Sequence, residues 1–144
     1  MSFSFIFSIF LLKLSLPVEM ILIVKEHPSM QFVGWRDLSF YKEILELPKV
    51  VLVHPSVSSL SIIQNALFIA AIAGTTALEA AFYKKPSIVF SDIDCSLLSS
   101  IYKINNLEEL PNIVKTCLTS KVDLKELNYF VNTVIENSFI CNIS

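Results

Sequence analysis

LFIAAIAGTTALEAAFYKKPSIVF, residues 67–90, is the stretch on which the fold turns. Leu67–Ala73 is a continuous apolar run, which suits a strand buried on both faces of a parallel sheet. Gly74 interrupts it, and Thr75 and Thr76 place hydroxyls where a helix should begin. The alanine-rich run Thr76–Tyr83 fits a short helix, which Lys84, Lys85 and Pro86 stop. Ser87–Phe90 then reads as the next strand. A strand that passes through a Gly-Thr turn into a helix exposes backbone N–H groups at the helix N-terminus, a setting suited to an anion and above all to phosphate.

Working outward, the same alternation recurs upstream. Met20–Lys25 (MILIVK) is a buried-type strand ending in the polar cluster Glu26-His27-Pro28. Gly34–Arg36 continue the loop. Asp37 caps a helix to about Leu47, with Phe40, Tyr41, Ile44, Leu45 and Leu47 on its apolar side. Lys49–Val53 is a third strand, followed by His54-Pro55, and Ser58 caps a helix to Ala66. Downstream, Ser100–Ile104 reads as a short edge strand. Asn106 with Glu109 has capping-box spacing ahead of a helix to about Leu118. A last amphipathic helix spans about Asp123–Asn137, with Leu124, Leu127, Phe130, Val131, Val134 and Ile135 along one side. Strands alternating with helices imply an α/β class with a doubly wound, Rossmann-like parallel sheet. Right-handed crossovers then bring all strand C-termini to one edge, where ligands bind in such sheets.

Three segments follow: residues 1–16, an apolar helix or the remnant of an absent region; residues 17–120, the Rossmann-like domain; residues 121–144, the amphipathic C-terminal helix. The first, MSFSFIFSIFLLKLSL, lacks the leading positive charge and small-residue cleavage site of a secretory signal. It is also shorter than the ~20 apolar residues of a membrane span. A core-facing helix is the favoured reading. A membrane-surface anchor is the alternative, although the basic polar face usual for one is absent.

Composition narrows the function classes. The chain has 144 residues, 53% of them apolar, a net charge of −2 and only 17% charged residues. No basic excess points to nucleic acid, and no acidic tail is present. Cys95, Cys117 and Cys141 are odd in number and lack CxxC spacing, which fits reduced thiols in a cytoplasmic protein rather than zinc or redox chemistry.

The residues also carry a resemblance. The pattern VKEHP, G-x-R, LP-x-VxLVHPSVSS, AIAGTTALEA and KKPSIVF resembles the C-terminal, donor-binding half of GT-B glycosyltransferases of bacterial surface carbohydrate synthesis, in particular the capsule polysaccharide group. It covers about Met20–Leu118. The resemblance implies a single half of a GT-B fold that binds a nucleotide sugar. His27 would touch the donor phosphate or stabilise the departing nucleotide, as the catalytic residue. Gly74, Thr75 and Thr76 would cradle phosphate, Glu79 would accept from the ribose hydroxyls, Ser59 would line the cleft, and Lys25 and Arg36 would offset phosphate charge. It implies no cofactor beyond the donor substrate and no metal; Asp92 and Asp94 lie past a strand and hold a divalent ion poorly as a pair. The acceptor glycan would be bound by a missing N-terminal domain or a partner chain, at the inner face of the cytoplasmic membrane. The lone half is then expected to show little transferase activity, and the apolar surface of Met1–Leu16 to be covered by that absent region.

The chemistry is coherent by itself. Glycosyl transfer from a nucleotide sugar builds negative charge on the leaving phosphate, which fixed N–H dipoles and an imidazole donor stabilise. A carboxylate one turn into the helix is a good acceptor for sugar hydroxyls. Plainer readings stand beside these. Thr76-x-x-Glu79 is also a capping box, and His27-Pro28 and His54-Pro55 are also strand-end turns, more so for His54. The alternatives to a transferase half are an inactive nucleotide-binding or interaction module and a sugar-nucleotide epimerase-like fragment.

Overall fold

The computed structural model describes residues 5–138. Helix α1 (Phe5–Ser15) leads to strand β1 (Leu22–Lys25), the single-turn helix α2 (Met30–Val33) and helix α3 (Leu38–Glu46). Strand β2 (Val50–Val53), helix α4 (Ser59–Asn65), strand β3 (Ile69–Ala71), helix α5 (Thr76–Phe82) and strand β4 (Ser87–Val89) follow. After a 3₁₀ turn come strand β5 (Ile101–Lys103), a second 3₁₀ turn, α6 (Leu110–Thr119) and α7 (Leu124–Glu136). The class is α/β and every strand pair is parallel.

The sheet is divided. β1 pairs with β2 alone, and β3, β4 and β5 form a second sheet in that order. The expectation of a single doubly wound sheet is therefore met in class and strand direction but not in continuity. β3 is shorter and more open than its sequence implies. Of the apolar run 67–73 only Ile69–Ala71 pair, while Leu67 and Ile72 are exposed. β3 is an edge strand with one neighbour, so nothing in its own sheet covers its far side.

The three-stranded sheet is layered on both faces. Adjacent residues of β4 point opposite ways: Val89 packs with Ala77, Ala81 and Leu127, from α5 and α7, and Ile88 packs with Leu12, Leu110 and Val114, from α1 and α6. The alanines Ala77, Ala80 and Ala81 are fully buried, so α5 lies close on β3 and β4. The two-stranded sheet is covered on one face. Val24 packs with Ile9 of α1 and Ile44 of α3, whereas the register pair Ile23 and Val51 on the opposite face is exposed at 48% and 44%.

Helix α1 joins the two cores. Ile9 belongs to the cluster under β1 and Leu12 to the cluster under β4, and both are buried. Phe7, Phe10 and Leu14 on the same helix stay exposed. No helix among the described residues is long and apolar enough to cross a membrane.

The caps follow local chemistry. Asp37 accepts from the Ser39 N–H at 2.9 Å, Ser58 from the Ser61 N–H at 3.4 Å, and Asp123 from the Lys125 N–H at 2.8 Å. Each meets one of the helix-start donors that have no partner within the helix. Asn106 accepts from Glu108 rather than engaging Glu109, because a 3₁₀ turn (Leu107–Glu109) precedes α6.

Candidate functional site

Two polar loci occupy the C-terminal ends of the parallel strands. The first follows β3. Gly74 adopts φ +102, in the region that favours glycine, and turns the chain into α5. Thr75 is the N-cap residue, but its side chain does not cap a backbone N–H. Its hydroxyl instead donates to Glu79 Oε1 at 2.7 Å, while the Glu79 N–H donates to the Thr75 carbonyl at 2.9 Å. Thr75 and Glu79 are exposed and Thr76 is half-buried. The capping-box alternative, Thr76 with Glu79, is not formed: Thr76 is already inside the helix, and the bond between Thr75 and Glu79 joins two side chains and caps no backbone N–H.

The second locus follows β1 and β2. A cavity of about 310 Å³ is lined by Glu26, Trp35, Tyr41, Leu52, Val53, His54 and Pro55. Its polar centre is Glu26, whose side chain is only 4% exposed. Glu26 Oε1 accepts from Arg36 Nε at 2.6 Å, and Oε2 accepts from the Tyr41 hydroxyl at 2.8 Å. The Arg36 backbone N–H donates to that same hydroxyl at 3.2 Å, and the guanidinium lies 4.8 Å from the Phe40 ring centroid. Removal from solvent and the bond to Glu26 push the Tyr41 phenol above its ordinary pKa. The Trp35 and His54 rings lie 5.6 Å apart, tilted by 46°.

Two tripeptides of identical sequence end β1 and β2, and they adopt the same local geometry. In His27-Pro28-Ser29 the Ser29 N–H donates to His27 Nδ1 at 3.2 Å, with Ser29 Oγ 2.8 Å away. In His54-Pro55-Ser56 the Ser56 N–H donates to His54 Nδ1 at 3.2 Å, with Ser56 Oγ at 2.7 Å. An Nδ1 that accepts leaves the proton of the neutral ring on Nε2. Both imidazoles are exposed. His54 lines the cavity, whereas His27 does not.

The residues expected from sequence are therefore divided. Gly74, Thr75, Thr76 and Glu79 come together at the start of α5. Arg36 joins Glu26 and Tyr41 at the cavity, where its charge is met by the carboxylate. Lys25 is half-buried at the end of β1, with Nζ donating to the Glu26 carbonyl at 3.3 Å, and burial lowers its pKa. Ser59 is the half-buried first residue of α4. Among the described residues, no hydrogen bond or ion pair joins His27 to the Gly74–Glu79 turn. Asp92 pairs with Lys103 in its loop, and no group of three or more His, Cys, Asp or Glu among the described residues could hold a metal ion.

Glu26, Trp35 and Tyr41 did not emerge as site residues from the sequence, and His54 was read chiefly as a strand-end turn. Two signals for them were present: a carboxylate directly continuing a buried strand, and the repetition of His-Pro-Ser at two strand ends. No family model, curated protein or solved structure matches the chain.

Proposed function

We propose that the chain is the nucleotide-sugar-binding half of a glycosyltransferase of bacterial capsule or surface polysaccharide synthesis. The observation that carries this reading is the start of α5. Gly74 turns the chain into the helix, and the Thr75 hydroxyl at the helix start donates to the exposed Glu79 carboxylate one turn on. A diphosphate would meet the N–H groups of the helix start, and a ribose would replace Thr75 as the donor to Glu79. His27, at the end of β1, would present Nε2–H to the departing phosphate. The Rossmann-like, GT-B form of the fold belongs to this reading, as does work at the cytoplasmic face of the membrane. The acceptor glycan would come through a further domain or a partner chain.

Thermal-shift titration with CMP- and UDP-linked sugars tests the reading. A donor at a hundred times its Kd stabilises by about 2.7 kcal/mol, or roughly 5–10 °C in Tm. Glu79→Ala and His27→Ala should each cut the shift to about half or less, as a tenfold or greater loss of affinity requires. No shift in the wild-type chain, or an unchanged shift in both variants, would remove the assigned site. An epimerase-like fragment would instead convert its nucleotide sugar with no acceptor present.

A further inference from the structure

The donor contacts proposed above, at His27 and the start of α5, leave the cavity at the ends of β1 and β2 unused. At about 310 Å³ it stands at the lower end of the roughly 300–1,000 Å³ typical of small-molecule sites. That suits one ring system rather than a whole nucleotide sugar. Trp35, the single tryptophan of the chain, lies on the loop between α2 and α3 and is 54% exposed. Its ring and that of His54 form an aromatic corner, with centroids 5.6 Å apart and planes tilted by 46°. Leu52 and Pro55 add apolar wall.

The polar groups decide what can enter. Each Glu26 oxygen is already engaged, by Arg36 Nε and by the Tyr41 hydroxyl, and that hydroxyl in turn accepts from the Arg36 N–H. The guanidinium meets the buried charge of Glu26, so the cavity calls for a neutral ligand. Two donors are not engaged in this way. The Trp35 ring N–H forms no hydrogen bond among the described residues. His54 keeps its proton on Nε2, because Nδ1 accepts from the Ser56 N–H. A sugar would bring hydroxyl donors to a cavity whose acceptor side chains are taken, and adenine, guanine or cytosine would bring an amino group to the same place. Uracil brings two carbonyl acceptors, one ring N–H and a flat face for an aromatic side chain to cover. We propose that this cavity takes a uracil ring, with Trp35 stacked on it and His54 Nε2–H donating to a ring carbonyl. The proposal rests on the donor reading for the bearer of the ring, a UDP-linked sugar, and names its base.

Uracil methylated at the nitrogen that carries ribose tests the ring alone, without the phosphate or ribose that the start of α5 would hold. It should quench Trp35 fluorescence saturably, with a Kd on the order of 1 mM for so small a ligand. No other tryptophan contributes to the signal. The correspondingly methylated cytosine should bind about tenfold more weakly. Trp35→Ala changes an exposed side chain, and His54→Phe keeps a ring while removing the donor. Followed by ligand-observed NMR, they should weaken methyluracil about tenfold and about fivefold. No saturable quenching, equal or tighter binding of methylcytosine, or wild-type affinity in Trp35→Ala would each overturn the proposal. Binding of a UDP-linked sugar that depends on Glu79 but not on Trp35 would also overturn it, and would leave the donor reading standing. Methyluracil binding that depends on Trp35, in a chain that binds no UDP-linked sugar, would uphold the ring site and count against the donor reading alone.

Discussion

Thr75 and Glu79 are joined across one turn of α5, the threonine hydroxyl donating to Glu79 Oε1 at 2.7 Å. The contact is exposed, so its own contribution to stability is small, about 0.5 kcal/mol. Glu79→Ala should therefore lower the ligand-free Tm by only roughly 1–3 °C. Calorimetry of the variant without ligand checks this. A much larger fall would mean that Glu79 holds the fold rather than presenting an acceptor.

The one-sided cover of the first sheet gives a contrast within two consecutive residues. Val24 is 5% exposed beneath α1 and α3, and Ile23 is 48% exposed on the open face. Val24→Ala should cost about 2 kcal/mol through lost burial and the cavity left behind. Ile23→Thr should stay within about 0.5 kcal/mol. Equal losses in urea unfolding would show that the open face is covered.

Helix α5 depends on small residues. Ala81 is fully exposed to packing and not at all to solvent, at 0% accessibility against Val89 and Leu127. Ala81→Leu should destabilise by about 1–3 kcal/mol, since the helix must lift from β4 or force neighbouring side chains out of their rotamers. Chemical denaturation would measure it, and a neutral result would contradict the close approach.

Burial pushes the Cys117 thiol up from 9.0 to about 12. A raised acid pKa means that the folded state keeps a proton that the unfolded chain releases above pH 9.0. Stability from this group is intact below that pH and falls as pH rises toward 12. At pH 8 the Cys117 thiolate is negligible, so in a Cys141→Ser chain neither Cys117 nor the buried Cys95, whose thiol burial also pushes up, should react with Ellman's reagent until denaturant is added. Rapid native labelling of Cys117 would contradict its burial on the inner side of α6, against the Ile88 cluster.

What the sequence disclosed was the chemistry written locally. Asp37, Ser58 and Asp123 announce helix starts because a cap satisfies N–H groups two or three residues away, and all three do so here. The strand-turn-helix-strand order of residues 67–90 was legible too, from Gly74 at the turn and Pro86 after the helix, although the Thr75 side chain caps no backbone N–H. What it did not disclose was tertiary. The run Leu67–Ala73 has the composition of a doubly covered strand, but cover comes from neighbours, and β3 has one strand neighbour. Tyr41 fits the apolar stripe of α3, yet its hydroxyl reaches Glu26, fifteen residues earlier in sequence. Periodicity places such a ring on a face without showing which buried carboxylate the face will meet. The outer end of α7 tells the same story: Leu127 is buried, while Val134 and Ile135 on the same stripe extend past the core and stay exposed.

The most direct test of the account is isothermal titration of the purified chain with CMP- and UDP-linked sugars, alongside Glu79→Ala. The account predicts saturable one-to-one binding of at least one donor, with affinity reduced tenfold or more in the variant, equivalent to about 1.4 kcal/mol or more. No binding heat with any donor, or equal affinity in both proteins, would contradict it.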